Sequence, residues 1–236
     1  MPAADAGEAE FFDLVELSKA TRLCDWMFSQ FEPLARGRVA EVGAGIGTFS
    51  ARLLPEADEL LLIEPAARGA DELKRRFASE PRVTISQDTV PGCPPLAEGG
   101  FDLVLSQNVL EHIADDAAAV REMGSAVAPG GSLCLLVPAH PRLYGSLDRA
   151  YGHHRRYTRR RLRALVEDAG LAVSALYSFN LLGVAGWLVK RYQREPRLDP
   201  RSLRAYEALV RFWRPLEERV RPPAGLSLVV KAVKQR

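Results

Sequence analysis

The segment Glu41-Val42-Gly43-Ala44-Gly45-Ile46-Gly47 decides the fold of this 236-residue chain. It lies between the apolar run 39–42, which predicts a strand, and a helical pattern over 48–54 that ends at Pro55. Glycines at such a turn let the backbone approach a ligand closely, beyond the carboxyl end of a sheet. A dinucleotide-binding loop would carry a further glycine where this chain has Thr48, which argues against a dinucleotide-dependent oxidoreductase.

The same alternation of strands and helices continues along the whole chain. It implies a parallel, doubly wound α/β sheet. We expect a single domain, with residues 138–157 and 181–221 added near one rim. The predicted strands after the first are 60–63, 83–85, 101–106, 132–137, 171–179 and 226–233, and the predicted helices include 66–78, 115–127 and 158–170.

The composition is that of a globular protein, with 47% apolar and 26% charged residues. No apolar run approaches the roughly 20 residues that a membrane span needs, and the acidic N-terminus does not resemble a signal peptide. Three widely spaced cysteines, Cys24, Cys93 and Cys134, predict no disulfide framework. We therefore expect a cytoplasmic protein.

The charge is divided unequally between the two parts of the chain. Residues 1–141 hold 22 acidic and 11 basic residues, whereas residues 142–236 hold 21 basic and 8 acidic residues. Such a division favours an anionic partner for the second part. The alternative is that the two parts neutralise one another within the fold.

Acidic residues follow the first three predicted strands. Glu64 closes the second strand, where a carboxylate can accept both hydroxyls of a ribose. Asp88 follows the third strand, where it can accept a hydrogen bond from the amino group of an adenine. Together with Glu41, and with no lysine or arginine in the glycine loop, these acids favour a nucleoside that lacks phosphates and carries a positive charge.

These motifs, together with Phe101–His112 and Pro129-Gly130-Gly131, resemble those of class I S-adenosylmethionine-dependent methyltransferases. The resemblance implies a seven-stranded Rossmann-like sheet with helical cap insertions, and S-adenosylmethionine as the cofactor. It divides the single domain 1–236 into N-terminal helices (1–37), a donor-binding core (38–138) and an acceptor-side cap (139–157 and 181–221). The cofactor-binding residues that it implies are Glu41, Gly43 and Gly45 near the methionine part, Glu64 at the ribose, Asp88 at the adenine, and Gln107 and Asn108 near the sulfonium.

The second half is similar to a narrower group of bacterial methyltransferases whose acceptors are uncharacterised. The similar stretches are Val137–Pro141, Leu143–Asp148, Gly152–Thr158 and Pro222–Leu228. Some members of this group are associated with glycosyltransferases, which implies a sugar or glycolipid acceptor. We expect methyl transfer to an oxygen, or less readily a nitrogen, of a small-molecule, sugar or lipid-linked acceptor.

A hydroxyl acceptor needs a base, and three histidines follow the fifth predicted strand. We predict His153 as the base and Asp148 as its partner, without a metal. His112 is interpreted as structural. The alternative is that His153 and His154 brace the loop within 138–157 and take no part in the chemistry. The predicted substrate-binding residues are Tyr144, His154, Arg155 and Tyr157.

Two basic segments leave alternatives open. The arginines of 155–163 favour an anionic acceptor or form a solvated helix face. The apolar run 181–189 and the basic residues up to Arg194 favour a peripheral membrane contact or a packed helix.

Nucleic acid is an unfavourable acceptor. The segment Ser106–Val109 lacks the Pro-Pro-aromatic motif that nucleic-acid methyltransferases acting on amino groups carry after the fourth strand. A further alternative is a module that binds S-adenosylmethionine without turnover. The oligomeric state is left open.

Overall fold

All seven strands of the computed structural model form one sheet. The structure describes residues 3–190 and 200–236, with side chains from residue 11 to 188 and from 200 onward. The strand order is β3-β2-β1-β4-β5-β7-β6. The strands are β1 (Gly37–Val42), β2 (Ala57–Ile63), β3 (Val83–Ser86), β4 (Phe101–Gln107), β5 (Val127–Pro138), β6 (Leu171–Phe179) and β7 (Ser227–Lys234).

The first five strands are parallel, as predicted, but the last strand is not. β7 runs antiparallel to both β5 and β6. The apolar pattern of 226–233 locates a strand but does not give its direction. The sheet is therefore mixed, and the prediction of a wholly parallel sheet is wrong at this strand, whereas the doubly wound seven-stranded fold is confirmed.

Helices cover both faces of the sheet. The described helices are α1 (Ala3–Ser18), α2 (Thr21–Phe28), α3 (Ser50–Leu53), α4 (Ala67–Arg76), α5 (Pro94–Ala97), α6 (Asp116–Ala126), α7 (Ser146–Ala150), α8 (Arg159–Asp168), α9 (Leu181–Lys190) and α10 (Pro200–Val220). Alternate residues of β1 enter opposite cores: Ala40 and Val42 pack with α6 and α8, and Val39 packs with Trp26 and Phe31. This alternation is what burial on both faces of a parallel sheet requires.

Local signals fix several helix ends near their predicted positions. The Asp115 carboxylate accepts a hydrogen bond from the Ala118 N–H, and the Thr158 hydroxyl accepts one from the Arg161 N–H. Each bond satisfies an N–H that the first helical turn leaves free. Gly170 follows α8 with φ of 80°, the left-handed conformation that commonly ends a helix.

The segment 139–157, part of the predicted acceptor-side cap, has regular structure. It contains a 3₁₀ turn at Pro141–Leu143, helix α7 and a parallel bridge between Ala139 and Tyr157. Two of its charged residues, Asp148 and Arg156, are buried and bond to each other. Hydrophobic periodicity does not register such a segment.

The second addition, predicted over 181–221, forms α9 and α10. The buried carboxylate of Glu217 in α10 accepts hydrogen bonds from the N–H groups of Asn180 and Leu181 at the start of α9. Residues 191–199, which include part of the predicted membrane segment, lie outside the described residues. Within the described part of the chain, no helix combines the length and the apolar character that a membrane span requires.

Candidate active site

Glu64 ties the glycine loop to the segment that follows β2. One carboxylate oxygen accepts a hydrogen bond from the Gly45 N–H at 2.8 Å, and the other accepts one from the Ala66 N–H at 2.9 Å. Burial raises the pKa of this carboxyl, and the two backbone bonds oppose the rise. Each oxygen keeps a lone pair, so the carboxylate is held in one orientation and can still accept two hydroxyl groups.

The absence of a side chain at Gly69 makes this orientation sterically feasible. A Cβ atom at Gly69 would lie 2.8 Å from the Glu64 Cγ atom and 3.1 Å from the Gly45 carbonyl oxygen. The start of α4 therefore packs directly against Glu64. This contact was not predicted, because it depends on the third dimension and not on the spacing of the motif.

The glycine loop itself contacts two other elements. A Cβ at Gly43 would lie 2.1 Å from a methyl group of Val109, and a Cβ at Gly45 would lie 3.6 Å from Leu14 of α1. Both glycines have positive φ, 78° and 56°. Gly43 thus allows Val109 to approach, and α1 covers the loop at Gly45.

Helix α1 also reaches the acceptor side. The Tyr151 hydroxyl donates a hydrogen bond to the carboxylate of Asp13, which is 5% exposed. The Arg68 guanidinium lies 3.9 Å from the centre of the Phe11 ring. Helix α1, one of the predicted N-terminal helices, therefore lies across the carboxyl edge of the sheet, a position that the sequence did not indicate.

Glu41 is buried beneath the glycine loop. Its carboxylate accepts a hydrogen bond from the Ser50 hydroxyl of α3, and burial raises its pKa to about 8. The side chain is 3% exposed. The structure places it where it braces the turn from β1 to α3.

The remaining predicted donor-side residues follow β3 and β4. Asp88 is partly buried and accepts a hydrogen bond from the Ser86 hydroxyl. Asn108 is exposed and has φ of 53°, and its N–H donates to the Leu136 carbonyl. The Gln107 amide and the Ser106 hydroxyl are buried without a hydrogen-bond partner among the described residues.

These residues fit S-adenosylmethionine. Ile63 and Ser86 are paired in the sheet, so Glu64 and Asp88 follow neighbouring strands at the same edge. The fixed Glu64 carboxylate suits the ribose hydroxyls, and buried polar atoms without a partner, such as those of Ser106 and Gln107, are uncommon unless something binds there. The structure thus brings the glycine loop and Glu64 into direct contact, with Asp88, Gln107 and Asn108 at the ends of the adjacent strands.

Asp148 is the centre of the acceptor-side network. Its carboxylate contacts His153 Nδ1 at 2.9 Å and accepts hydrogen bonds from Arg156 Nε at 2.8 Å and from the Gly145 N–H at 2.8 Å. Burial acts to raise the pKa of Asp148, but the bonds from His153 and Arg156 lower it overall. The predicted pairing of Asp148 and His153 is present in the structure.

The geometry of His153 suits the prediction of a base. With Nδ1 donating to Asp148, Nε2 carries the lone pair. The side chain is 9% exposed, and the Tyr144 hydroxyl donates to its backbone carbonyl at 2.7 Å. Tyr144 therefore positions this loop, and the exposed His154 follows it.

Tyr157 and Arg155 were predicted to contact substrate, but their side chains are engaged within the protein. Tyr157 is fully buried, and its hydroxyl contacts the Leu110 carbonyl and the Asp116 carboxylate. Arg155 donates to the carbonyls of Ile113 and Ala114. Both side chains hold the segment after β4 against the cap, and their contact with substrate stays a prediction.

The arginine-rich segment is paired mainly within the fold. Arg155 and Arg161 both form ion pairs with Asp116. Arg156 is buried, and its guanidinium stacks on the Trp187 ring at 4.2 Å. These contacts support the interpretation that the two oppositely charged parts of the chain neutralise one another.

Glu111 and His112 belong to the same cluster, and sequence reasoning missed them as site residues. Glu111 is 1% exposed, and burial raises its pKa to about 8. Burial and the neighbouring His153 lower the pKa of His112 to about 4. One available signal was their position after β4, because this places them at the same edge of the sheet as the end of β5, where the acceptor-side loop begins.

Comparisons with known proteins agree with this arrangement. A family model described as "Methyltransferase domain" matches residues 18–176, more than half of the chain. An uncharacterised methyltransferase of Mycobacterium bovis is 30% identical over 123 residues, which are 52% of this chain and 61% of that protein. The ubiquinone biosynthesis O-methyltransferase of Methylocella silvestris is 35% identical over 42% of this chain and 39% of that protein.

The fold also matches solved structures. An S-adenosylmethionine-dependent methyltransferase from Mesorhizobium loti has a TM-score of 0.61 at 16% identity, covering 88% of this chain and 96% of that one. The chain spans about 61% of the length of the Mycobacterium relative. With the family model matched over the glycine loop, Glu64 and the segment after β4, the chain belongs to the class I S-adenosylmethionine-dependent methyltransferases.

Proposed function

We propose that this protein transfers a methyl group from S-adenosylmethionine to an oxygen of a small-molecule, sugar or lipid-linked acceptor. The observation that carries the proposal is the Glu64 carboxylate, fixed by the Gly45 and Ala66 N–H groups at the carboxyl edge of the sheet. When bound there, S-adenosylmethionine supplies an electrophilic methyl group on a positively charged sulfur.

The other donor-side residues have narrower proposed roles. Asp88 accepts a hydrogen bond from the adenine, and the Gln107 amide and Asn108 line the methionine end. Gly45 allows the loop to approach the donor. Glu41 supports the loop through Ser50.

On the acceptor side, His153 takes the proton of the acceptor hydroxyl at Nε2. Asp148 is a positioning residue, because it fixes the ring through Nδ1 and has no exposed surface. The presence of a base favours oxygen over nitrogen as the acceptor atom. A hydroxyl requires removal of its proton, whereas an amine has only to arrive unprotonated.

Binding of the donor tests the proposal. Isothermal titration of the protein with S-adenosylmethionine should give a single site, and Glu64→Ala should weaken it about 100-fold through loss of two hydrogen bonds to a charged group. Glu59→Ala is the matched control, because Glu59 is an exposed glutamate of the same strand paired with Arg38. Equal affinities in all three proteins would reject the role of Glu64.

A surface of α10 favours the lipid-linked class of acceptor. Its exposed apolar residues follow one another at helical spacing: Leu209, Phe212, Leu216 and Val220 are 52–74% exposed. Exposed Arg204, Arg211 and Arg219 lie on the same helix. An apolar stripe beside arginines suits an anionic membrane surface, and we propose that α10 makes the peripheral membrane contact.

A cytoplasmic location is part of the proposal. Cys24, Cys93 and Cys134 are all free and buried, which fits a reducing compartment. Cell fractionation with an antibody against the full chain tests it. Recovery only in a secreted fraction would contradict it.

A further inference from the structure

Glu111, His112 and His153 form a compact buried cluster. A carboxylate oxygen of Glu111 and one ring nitrogen of each histidine lie within 4.8 Å of one another. The Glu111 side chain is 1% exposed and the His153 side chain 9%. The three residues come from the 3₁₀ turn Leu110–His112 and from the loop that follows α7, and the His154 N–H holds these segments together by donating to the Glu111 carbonyl.

Each ring is oriented by a partner other than Glu111. His153 Nδ1 lies 2.9 Å from the Asp148 carboxylate, and the His112 ring is hydrogen-bonded to the backbone of Tyr151. A histidine that donates one nitrogen to a carboxylate or a carbonyl presents a lone pair at the other. One nitrogen of each ring and a carboxylate oxygen of Glu111 lie within 4.8 Å of one another. This arrangement of outer partners is the one that histidine ligands of metal ions characteristically have.

Glu111 is not satisfied by the protein alone. Its Oε2 atom is buried and has no hydrogen-bond partner among the described residues. Its Oε1 atom is 4.0 Å from His153 Nε2, beyond hydrogen-bond length. The Asp148 carboxylate and the Arg156 guanidinium beside the cluster form an ion pair with each other. A buried polar oxygen without a partner is costly, and a cation at this point would remove the cost.

We propose that Glu111, His112 and His153 bind a divalent transition-metal ion at the acceptor end of the cleft. Two imidazole nitrogens and one carboxylate suit Zn²⁺, Fe²⁺ or Mn²⁺, with coordination positions left for an acceptor oxygen. Metal–ligand distances of about 2.1 Å place ligand atoms about 3.3 Å apart. The three ligand atoms now lie within 4.8 Å of one another, so metal binding would draw them closer together. The cluster thus replaces the expectation of a metal-independent enzyme.

This inference rests on the proposed methyl transfer and revises one step of it. A hydroxyl bound to a divalent ion loses its proton to water more readily. The oxygen then bonds to the methyl carbon as the carbon–sulfur bond breaks, and the donor leaves as a neutral thioether. His153 Nε2 has one lone pair, so in the metal-bound form it is a ligand and not the base.

Cobalt(II) is the probe that tests the site. The full chain, stripped with a chelator and dialysed, should bind one equivalent of Co²⁺ with visible absorption bands and no thiolate charge-transfer band. Glu111→Gln and His153→Gln should each weaken binding at least tenfold. The matched control His154→Asn changes the exposed neighbouring histidine, which is not one of the three ligands, and should bind Co²⁺ as the wild type does.

The outcomes separate the metal site from the methyl transfer. Wild-type protein that binds S-adenosylmethionine but not Co²⁺ would overturn the metal site and leave the proposed function standing. Protein that binds Co²⁺ but not S-adenosylmethionine would support the metal site and contradict the proposed function. Unchanged Co²⁺ affinity in Glu111→Gln and His153→Gln would also overturn the assignment, and circular dichroism of the same samples shows that each variant is folded.

Discussion

The donor edge and the acceptor-side cluster are built in different ways. At the donor edge, Glu64 and Asp88 each follow a strand and the backbone N–H groups of the glycine loop hold Glu64. In the acceptor-side cluster, side chains hold one another: Asp148 binds His153 and Arg156 of its own segment, and Glu111 comes from the distant segment after β4. A site fixed by backbone geometry depends on close packing of the neighbouring backbone, whereas a network of buried side chains depends on every member.

The largest expected effect separates the two regions by function. His153→Ala should lower methyl transfer at least 100-fold and leave the affinity for S-adenosylmethionine unchanged, because the ring lies on the acceptor side only. Turnover is measured as the transfer of labelled methyl groups from S-adenosylmethionine to an extract of a strain that lacks the gene, which supplies the unmethylated acceptor. A parallel loss of donor affinity would show that the two regions are not separate.

A second variant tests how closely the donor edge depends on packing. Gly69→Ala should weaken the binding of S-adenosylmethionine about tenfold. The new Cβ would lie 2.8 Å from the Glu64 Cγ atom and would therefore displace that side chain. Gly186→Ala is the control, because that glycine of α9 has open space around its Cβ position. Titration calorimetry compares them, and equal affinities would mean that Glu64 moves without consequence.

A third variant asks what the cluster contributes to stability. Tyr157→Phe should lower the free energy of unfolding by about 1 kcal/mol, because it removes a buried hydroxyl bonded to Leu110 and Asp116. Urea unfolding measures the change. If methyl transfer were lost while stability stayed the same, Tyr157 would be a substrate contact after all.

The smallest expected effect lies outside both regions. Phe212→Glu should reduce binding to vesicles that contain anionic lipids a few-fold, because Phe212 is 74% exposed on α10. Phe12→Glu, which changes an exposed phenylalanine of α1, is the control. Cosedimentation at low salt measures the bound fraction. Binding that is equally weak for the wild type and both variants would remove the membrane contact.

The comparison also explains what the sequence could predict. The order of strands places Glu64 and Asp88 at one edge, so topology alone was enough to bring the donor residues together. The pairing of Asp148 with His153 was also accessible, because five positions separate them. Glu111 and His112 were missed because their approach to His153 depends on how the cap folds back, and no periodicity encodes that. The direction of β7 was missed because an apolar pattern locates a strand but does not give its direction.

A crystal structure of the protein with S-adenosylmethionine tests the central claim most directly. The account predicts that the compound lies at the carboxyl ends of β1–β3, with both ribose hydroxyls within hydrogen-bond distance of the Glu64 carboxylate and the methyl group directed toward His153. A compound bound elsewhere, or a ribose without contact to Glu64, would contradict it.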